Sequence, residues 1–226
     1  MNIGVLGTGM VGQALAGKLD ELGHKVIIGT RDVEATRVRR EPDDYGNPGF
    51  AVWHENYADV VLATYFEAAE RSELLVNATS GKVSEQVLRA AGPDNLEGKI
   101  VIDISNPLDF SGGFPPTLSL CNTDSVGELL QRKFPGCRIV KTLNTISAPV
   151  MVQPGALAGG EHTVFLSGND PVAKSTVRSL LESFGHKDIL DLGDISTARG
   201  SEMYLALWTR LYGAIQKPMF SIKVVR

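Results

Sequence analysis

A glycine pattern close to the N-terminus constrains the fold more than any other feature of the chain. Gly7-Thr8-Gly9-Met10-Val11-Gly12 follows the apolar run Ile3 to Leu6 and precedes an amphipathic stretch that ends at Gly23. The six-residue pattern alone recurs by chance. Strand, glycine turn and helix in this order form the first half of a dinucleotide-binding βαβ unit. Gly7 permits the tight turn, Gly9 omits the side chain that would block a pyrophosphate, and Gly12 lets the helix pack closely. The backbone N–H groups around Met10 and Val11 then face phosphate, with the positive end of the helix dipole behind them. Gly7 to Gly12, Thr8 included, are therefore the expected phosphate cradle.

Val11, Leu15, Leu19 and Leu22 recur at helical spacing, Gly23 ends the helix, and Val26-Ile27-Ile28 reads as a buried parallel strand. The residues at the exit of that strand choose the cofactor. Asp32 lies at about the count expected of an acid that reads the ribose of NAD. The strand tip, however, is Thr30, and Asp32 reads as the N-cap of the next helix. A hydroxyl followed by a guanidinium suits a 2′-phosphate, because arginine offers a planar fork of donors and a permanent charge. Thr30 and Arg31 are thus the expected readers of NADP, with Arg37, Arg39 and Arg40 as candidates for a second cation.

The chain has 226 residues and a net charge of −4, enough length for a full core and a balance that disfavours nucleic acid. The charge is uneven. Arg199, Arg210, Lys217, Lys223 and Arg226 face Glu202 alone after position 198, which reads as attraction for an anion or as a solvated basic face. No segment is long and apolar enough to span a membrane, and Met1 leads straight into the first strand, so a cytoplasmic protein is expected. Cys121 and Cys137 and the four histidines show no metal-ligand or disulfide spacing.

Strands and helices go on alternating. Asp59 to Tyr65, Leu74 to Asn77, Ile100 to Ile104 and Arg138 to Lys141 read as strands of a doubly wound parallel α/β sheet. Ligands of such sheets bind beyond the carboxyl ends of the strands. The exits Asn77-Ala78-Thr79 and Asn106-Pro107 carry small and amide groups that suit a nicotinamide ring, and they suit ordinary turns as well. Asn106 to Asp124 reads as a long functional loop. A dinucleotide-binding domain over residues 1–142 and a small α/β domain over 143–226 are expected, the latter with strands at Thr163 to Leu166 and near Ile189. Asp170-Pro171 opens a helix there, and another follows Ser196.

The glycine turn, Thr30-Arg31, Asn77-Ala78-Thr79, Lys141-Thr142-Leu143-Asn144-Thr145-Ile146, Ser167-Gly168-Asn169-Asp170 and the stretch Gly213 to Val224 together resemble the NADPH-dependent reductases of the deazaflavin coenzyme F420. The resemblance covers nearly the whole chain. It implies a Rossmann domain that binds NADP, a small domain that completes a cleft for a small-molecule deazaflavin acceptor, and a homodimer. Asn144 is placed at the cofactor by this resemblance, although a histidine is common there in the family. The segment Arg37 to Tyr57 is longer than in typical members.

Direct hydride transfer between two stacked rings needs no catalytic acid or base, and none is assigned. Other readings stay open on the residues alone. Reduction of a small carbonyl or imine would need a proton donor, for which Lys82, Tyr65 and Tyr204 are the candidates. Another flavin or a ferric acceptor, or a noncatalytic NADP sensor, would keep the same cofactor readers.

Overall fold

In the computed structural model, which describes residues 1–43 and 46–226, the glycine pattern folds into the unit that its flanks predict. β1 (Asn2–Leu6) leads through the turn into α1 (Met10–Glu21), and β2 (Lys25–Thr30) returns parallel to β1. Gly23 follows α1 with φ 79°, a backbone value that glycine adopts without strain. Asp32 caps α2 (Val33–Val38) by accepting from the Ala35 N–H at 2.9 Å, as its position predicts. α3 (Phe50–His54), β3 (Val61–Thr64) and α4 (Tyr65–Glu70) come next. The strand expected to reach Tyr65 stops at Thr64, because Thr64 and Glu67 cap each other's backbone and start the helix.

The chain continues through β4 (Leu74–Asn77), α5 (Ser84–Ala91), α6 (Pro93–Leu96) and β5 (Ile100–Asp103). The expected loop follows, folded around a short hairpin of β6 (Leu108–Asp109) and β7 (Thr117–Leu118). Then come α7 (Val126–Lys133), β8 (Arg138–Thr142), α8 (Ala148–Val152), β9 (Thr163–Gly168) and α9 (Pro171–Phe184). β10 (Asp188–Gly193), α10 (Ala198–Met203) and α11 (Leu205–Ile215) complete the helices and strands.

Among the described residues eight strands form one sheet, in the order β10-β9-β8-β5-β4-β1-β2-β3. The six strands from β3 to β8 are parallel and change winding direction between β1 and β4, which is a doubly wound Rossmann arrangement. One pair departs from the parallel pattern. β9 runs antiparallel to β8, because the connection through α8 re-enters at the edge where β8 ended instead of crossing a face of the sheet. Residues 143–226 thus add β9 and β10 to the sheet that residues 1–142 begin.

Leu15 and Leu19 of α1, Phe50 and Trp53 of α3 and Val177 and Leu181 of α9 fill the core on one face of the sheet. Ala68 of α4, Leu88 of α5 and Leu130 of α7 fill it on the other. The Arg37 to Tyr57 insert belongs to this packing. Phe50 is fully buried, and the Tyr57 ring lies against Gly17 of α1 so closely that a Cβ there would approach it to 2.7 Å. Asp44 and Tyr45 of the insert lie outside the described residues.

Candidate functional site

The turn from β1 to α1 sits where the strand order reverses, the place at which doubly wound sheets bind ligands. Each glycine there has its own reason. Gly7 holds φ 116°, and a Cβ on Gly12 would run into the Gly7 carbonyl oxygen, so both are fixed by the protein itself. Gly9 differs: a Cβ built on it meets no atom of the described residues within 4 Å. Its side is open, no side chain caps α1, and no acid stands in the first turn. The N–H groups of Met10 and Val11 and the positive helix end therefore face a cradle that a pyrophosphate would fill, and the residues present fit NADP there.

Two hollows flank the turn. The first, of about 570 Å³, is lined by Thr8, Thr30, Arg31, Thr36, Arg39 and Tyr65 among others. Thr30 is buried and shares a 2.8 Å hydrogen bond with the Thr36 hydroxyl, so its hydroxyl is held in place. Arg31 is exposed, and its charge works against the burial that raises the Tyr65 pKa. Asp32 also lines this hollow, but its carboxylate is engaged as the helix cap, which leaves the cationic reading of the strand tip in place. The three candidates for a second cation separate. Arg37 lies 3.9 Å from Glu34 and Arg40 2.9 Å from Glu55, both outside the hollow, whereas Arg39 lines it.

The second hollow, of about 590 Å³, is lined by Val11, Ala78, Thr79, Ser105, Asn106 and Phe110 among others. Sequence reasoning brought Ala78, Thr79 and Asn106 to a nicotinamide, and they stand here together. Asn144 stands behind Asn106. The Asn106 side-chain amide donates to the Asn144 backbone carbonyl and the Asn144 side-chain amide donates to Asn106 Oδ1, each at 3.0 Å, and Asn144 also donates to the Ser201 carbonyl at 3.1 Å. Asn77 is fully buried and lies beneath the hollow. Its amide donates to Ser84 and Asp103, each at 2.9 Å, and its oxygen accepts from the Thr79 hydroxyl at 2.6 Å. It orients Thr79 and presents no group to the opening.

Beneath this floor lies a charged network that the sequence reading missed. Register aligns Asn77 of β4 with Asp103 of β5 and Asp103 with Lys141 of β8, so three polar side chains stand in one row across the sheet. The Lys141 ammonium, fully buried, lies 2.8 Å from Asp103 and 2.9 Å from Glu202 of α10, and it also donates to the Ser105 carbonyl. Burial pulls the Lys141 pKa down, but Asp103 and Glu202 outweigh it and hold the amine above the ordinary lysine value. Glu202 in turn accepts from the Val126 and Gly127 N–H groups at 2.8 and 3.0 Å, tying α10 to the start of α7. A charged residue inside an apolar strand, as in Ile102-Asp103-Ile104 and Val140-Lys141, was the signal available.

The basic excess near the C-terminus changes meaning. Arg199 forks onto Glu128, and Lys223 and Arg226 both reach Asp188 at 2.8 and 2.7 Å. Arg199 is balanced by Glu128, whereas Lys223 and Arg226 share the single charge of Asp188, so much of this basic excess is spent within the chain. Arg210 and Lys217 remain exposed and enter no ion pair among the described residues. The candidate proton donors are scattered as well. Tyr65 lines the first hollow, Lys82 lines the second and pairs with Asp109 at 2.6 Å, and the buried Tyr204 hydroxyl has no partner among the described residues. Among the described residues no cluster could hold a metal, and no helix is long and apolar enough to cross a membrane.

Comparison with known proteins follows the same lines. The sequence profile of a family described as NADP oxidoreductase, coenzyme F420-dependent, matches residues 2–107. A crystal structure from Arthrobacter sp. FB24, of a protein designated by inference an F420-dependent NADP-reductase, is 54% identical with a TM-score of 0.95 and covers 99% of both chains. The rat metalloreductase STEAP3 is 29% identical over 200 residues, 88% of this chain and 35% of that protein, so the chain spans about a third of its relative's length. An imine reductase from Aspergillus terreus, in complex with NADPH4 and dibenz[c,e]azepine, has a TM-score of 0.63 at 18% identity over 95% of this chain and 62% of its own, which speaks to the fold alone.

Proposed function

We infer that this chain, which belongs to the coenzyme F420-dependent NADP oxidoreductases, moves a hydride between NADP(H) and a planar deazaflavin of the F420 type. That it is an NADP-dependent oxidoreductase follows from the family. The acceptor is our reading. One observation carries it: the second hollow opens beside the turn over a floor of small residues, and Lys82, which lines it, is engaged by Asp109 at 2.6 Å.

Bound nicotinamide supplies a carbon that gives or takes a hydride, and the protein's part is to hold two rings together and keep water away. Val11, Ala78 and Thr79 would form the floor under one ring, and Leu108 and Phe110 of the hairpin would cover the other. Asn144 braces Asn106 from behind. Positioning of this kind accounts for about 7–11 kcal/mol of a barrier without a proton relay. Lys82 is the one lysine lining the hollow, and its pairing with Asp109 ties the start of α5 to the hairpin. A homodimer belongs to the same reading, because α11 leaves Leu207 and Ile215 exposed as an apolar face that a second copy would cover.

Stopped-flow mixing of NADPH-loaded protein with oxidised deazaflavin tests the acceptor. The expected result is loss of the deazaflavin absorbance matched one for one by NADPH oxidation, over a broad pH range. The likeness to metalloreductases supports a second reading, a flavin or ferric acceptor. Reduction of free flavin or a ferric chelate with no change in the deazaflavin would replace the first reading by the second. Loss of all turnover in Lys82→Met would favour a small carbonyl or imine substrate instead.

A further inference from the structure

We propose that Arg39 is the second cation of the 2′-phosphate site, presented by the insert in which it lies, and that with Arg31 it discriminates NADP from NAD. The inference rests on the NADP reading of the first hollow and adds to it a residue and a role for the insert.

Four arginines lie between positions 31 and 40, and the structure sorts them. Arg37 and Arg40 are exposed and paired with Glu34 and Glu55. Arg31 and Arg39 line one hollow with the Thr30 hydroxyl and have no carboxylate partner among the described residues. Asp32, the acid at their side, already caps α2. Two uncompensated guanidinium groups in one hollow favour a dianion over the neutral hydroxyl that NAD presents.

Arg39 is also held in advance of any ligand. One terminal nitrogen, Nη2, donates to the Thr8 carbonyl at 2.7 Å and lies 3.2 Å from the Thr8 hydroxyl. Nη1 and Nε have no partner among the described residues, so three of the five guanidinium N–H groups remain for an acceptor. Rotamer freedom that a surface arginine would lose on binding is lost on folding here.

The insert supplies the anchor. The Arg39 carbonyl accepts from the Ala51 N–H at 2.9 Å, and Gly49 comes so close that a Cβ there would lie 2.6 Å from the same oxygen. Gly49 permits the approach, and the buried rings of Phe50 and Trp53 fix it to the core. A second tie runs through Gln13 of α1, whose amide reaches the Thr8 carbonyl at 3.1 Å and the Pro48 carbonyl at 3.4 Å. The carbonyl of the residue between Gly7 and Gly9 thus receives one donor from α1 and one from Arg39. Through these contacts the insert connects the phosphate turn to the strand tip that reads the ribose.

Isothermal titration separates this role from mere support of the turn. The ligands are NADPH, NADH, 2′,5′-ADP and 5′-AMP, and the last two differ only in the 2′-phosphate. One charge-assisted contact corresponds to about ten- to a hundredfold in dissociation constant. Arg39→Ala is expected to weaken NADPH and 2′,5′-ADP by that factor and to leave NADH and 5′-AMP nearly unchanged. Arg39→Lys, which keeps the charge without the fork, is expected to fall between. Equal losses for all four ligands, or none for any, would overturn the proposal. If Arg39→Ala does not fold, an unchanged NADPH-to-NADH preference in Arg39→Lys overturns it and a reduced one supports it. A wild-type protein that binds NADH as tightly as NADPH would remove the NADP reading itself, whatever Arg39 does.

Discussion

Gly9 and Gly12 stand three residues apart in one motif and are glycine for opposite reasons. A side chain on Gly12 would collide with the Gly7 carbonyl, whereas one on Gly9 would enter open space at a backbone angle, φ −84°, that any residue adopts. Gly12→Ala is therefore expected to cost stability and Gly9→Val to leave it unchanged. Gly9→Val places two methyl groups where a pyrophosphate would lie, so its expected effect is at least about tenfold weaker NADPH binding at an unaltered melting temperature. Thermal melts and cofactor titration of the two variants check this pair. A Gly9→Val protein that binds NADPH normally would move the phosphate away from the turn. Both glycines were legible in the sequence because spacing and flanking pattern define them. The role of Arg39 was not, because the contact that selects it over Arg37 and Arg40 is with Thr8, 31 residues earlier in the chain.

At the scale of elements, the strands whose apolar runs end in turn residues were legible from Leu74 to Lys141, since buried parallel strands read as continuous hydrophobic runs. What joins them beneath the second hollow was not. Asp103 and Lys141 come together through the register of β5 on β8, and Glu202 arrives from α10, so pattern within any one segment carries no trace of the contact. The network ties five elements, β4, β5, β8, α10 and α7, because Asn77 donates to Asp103 and Glu202 holds the first N–H groups of α7. Lys141→Met removes the ammonium that both Asp103 and Glu202 contact and leaves two buried carboxylates without it. Breaking a buried pair in this way costs about 3–5 kcal/mol. Denaturant unfolding should show a loss of that size, and a loss below about 1 kcal/mol would mean that the two acids find other partners or protonate cheaply.

For the molecule as a whole, acid sensitivity follows from two buried histidines that line neither hollow. His162 and His186 pack edge to face at 5.8 Å between centroids, and His186 bonds the Met151 carbonyl at 2.9 Å. Burial pushes the His186 pKa down to about 4, only partly offset by that bond, and His162 adds to the fall; burial lowers His162 too. Both rings are neutral in the folded protein at pH 7 and would take up protons on unfolding once the pH is below about 6.5. The unfolded chain then binds more protons than the folded one. Stability is accordingly full above pH 6.5, falls as the pH drops toward 4, and stops falling from this cause once folded His186 is itself protonated. A displacement from 6.5 to about 4 corresponds to roughly 3 kcal/mol at the acid end of that window. Asp188, held below the ordinary carboxylate range chiefly by Lys223, contributes its own loss only at lower pH, so the two effects separate along the titration. Urea unfolding of wild type and His186→Gln at pH 7, 6 and 5 should show a shallower decline in the variant, by up to one proton's worth of slope. Parallel declines in the two proteins would mean that the carboxylates, and not the histidine pair, set the acid limit.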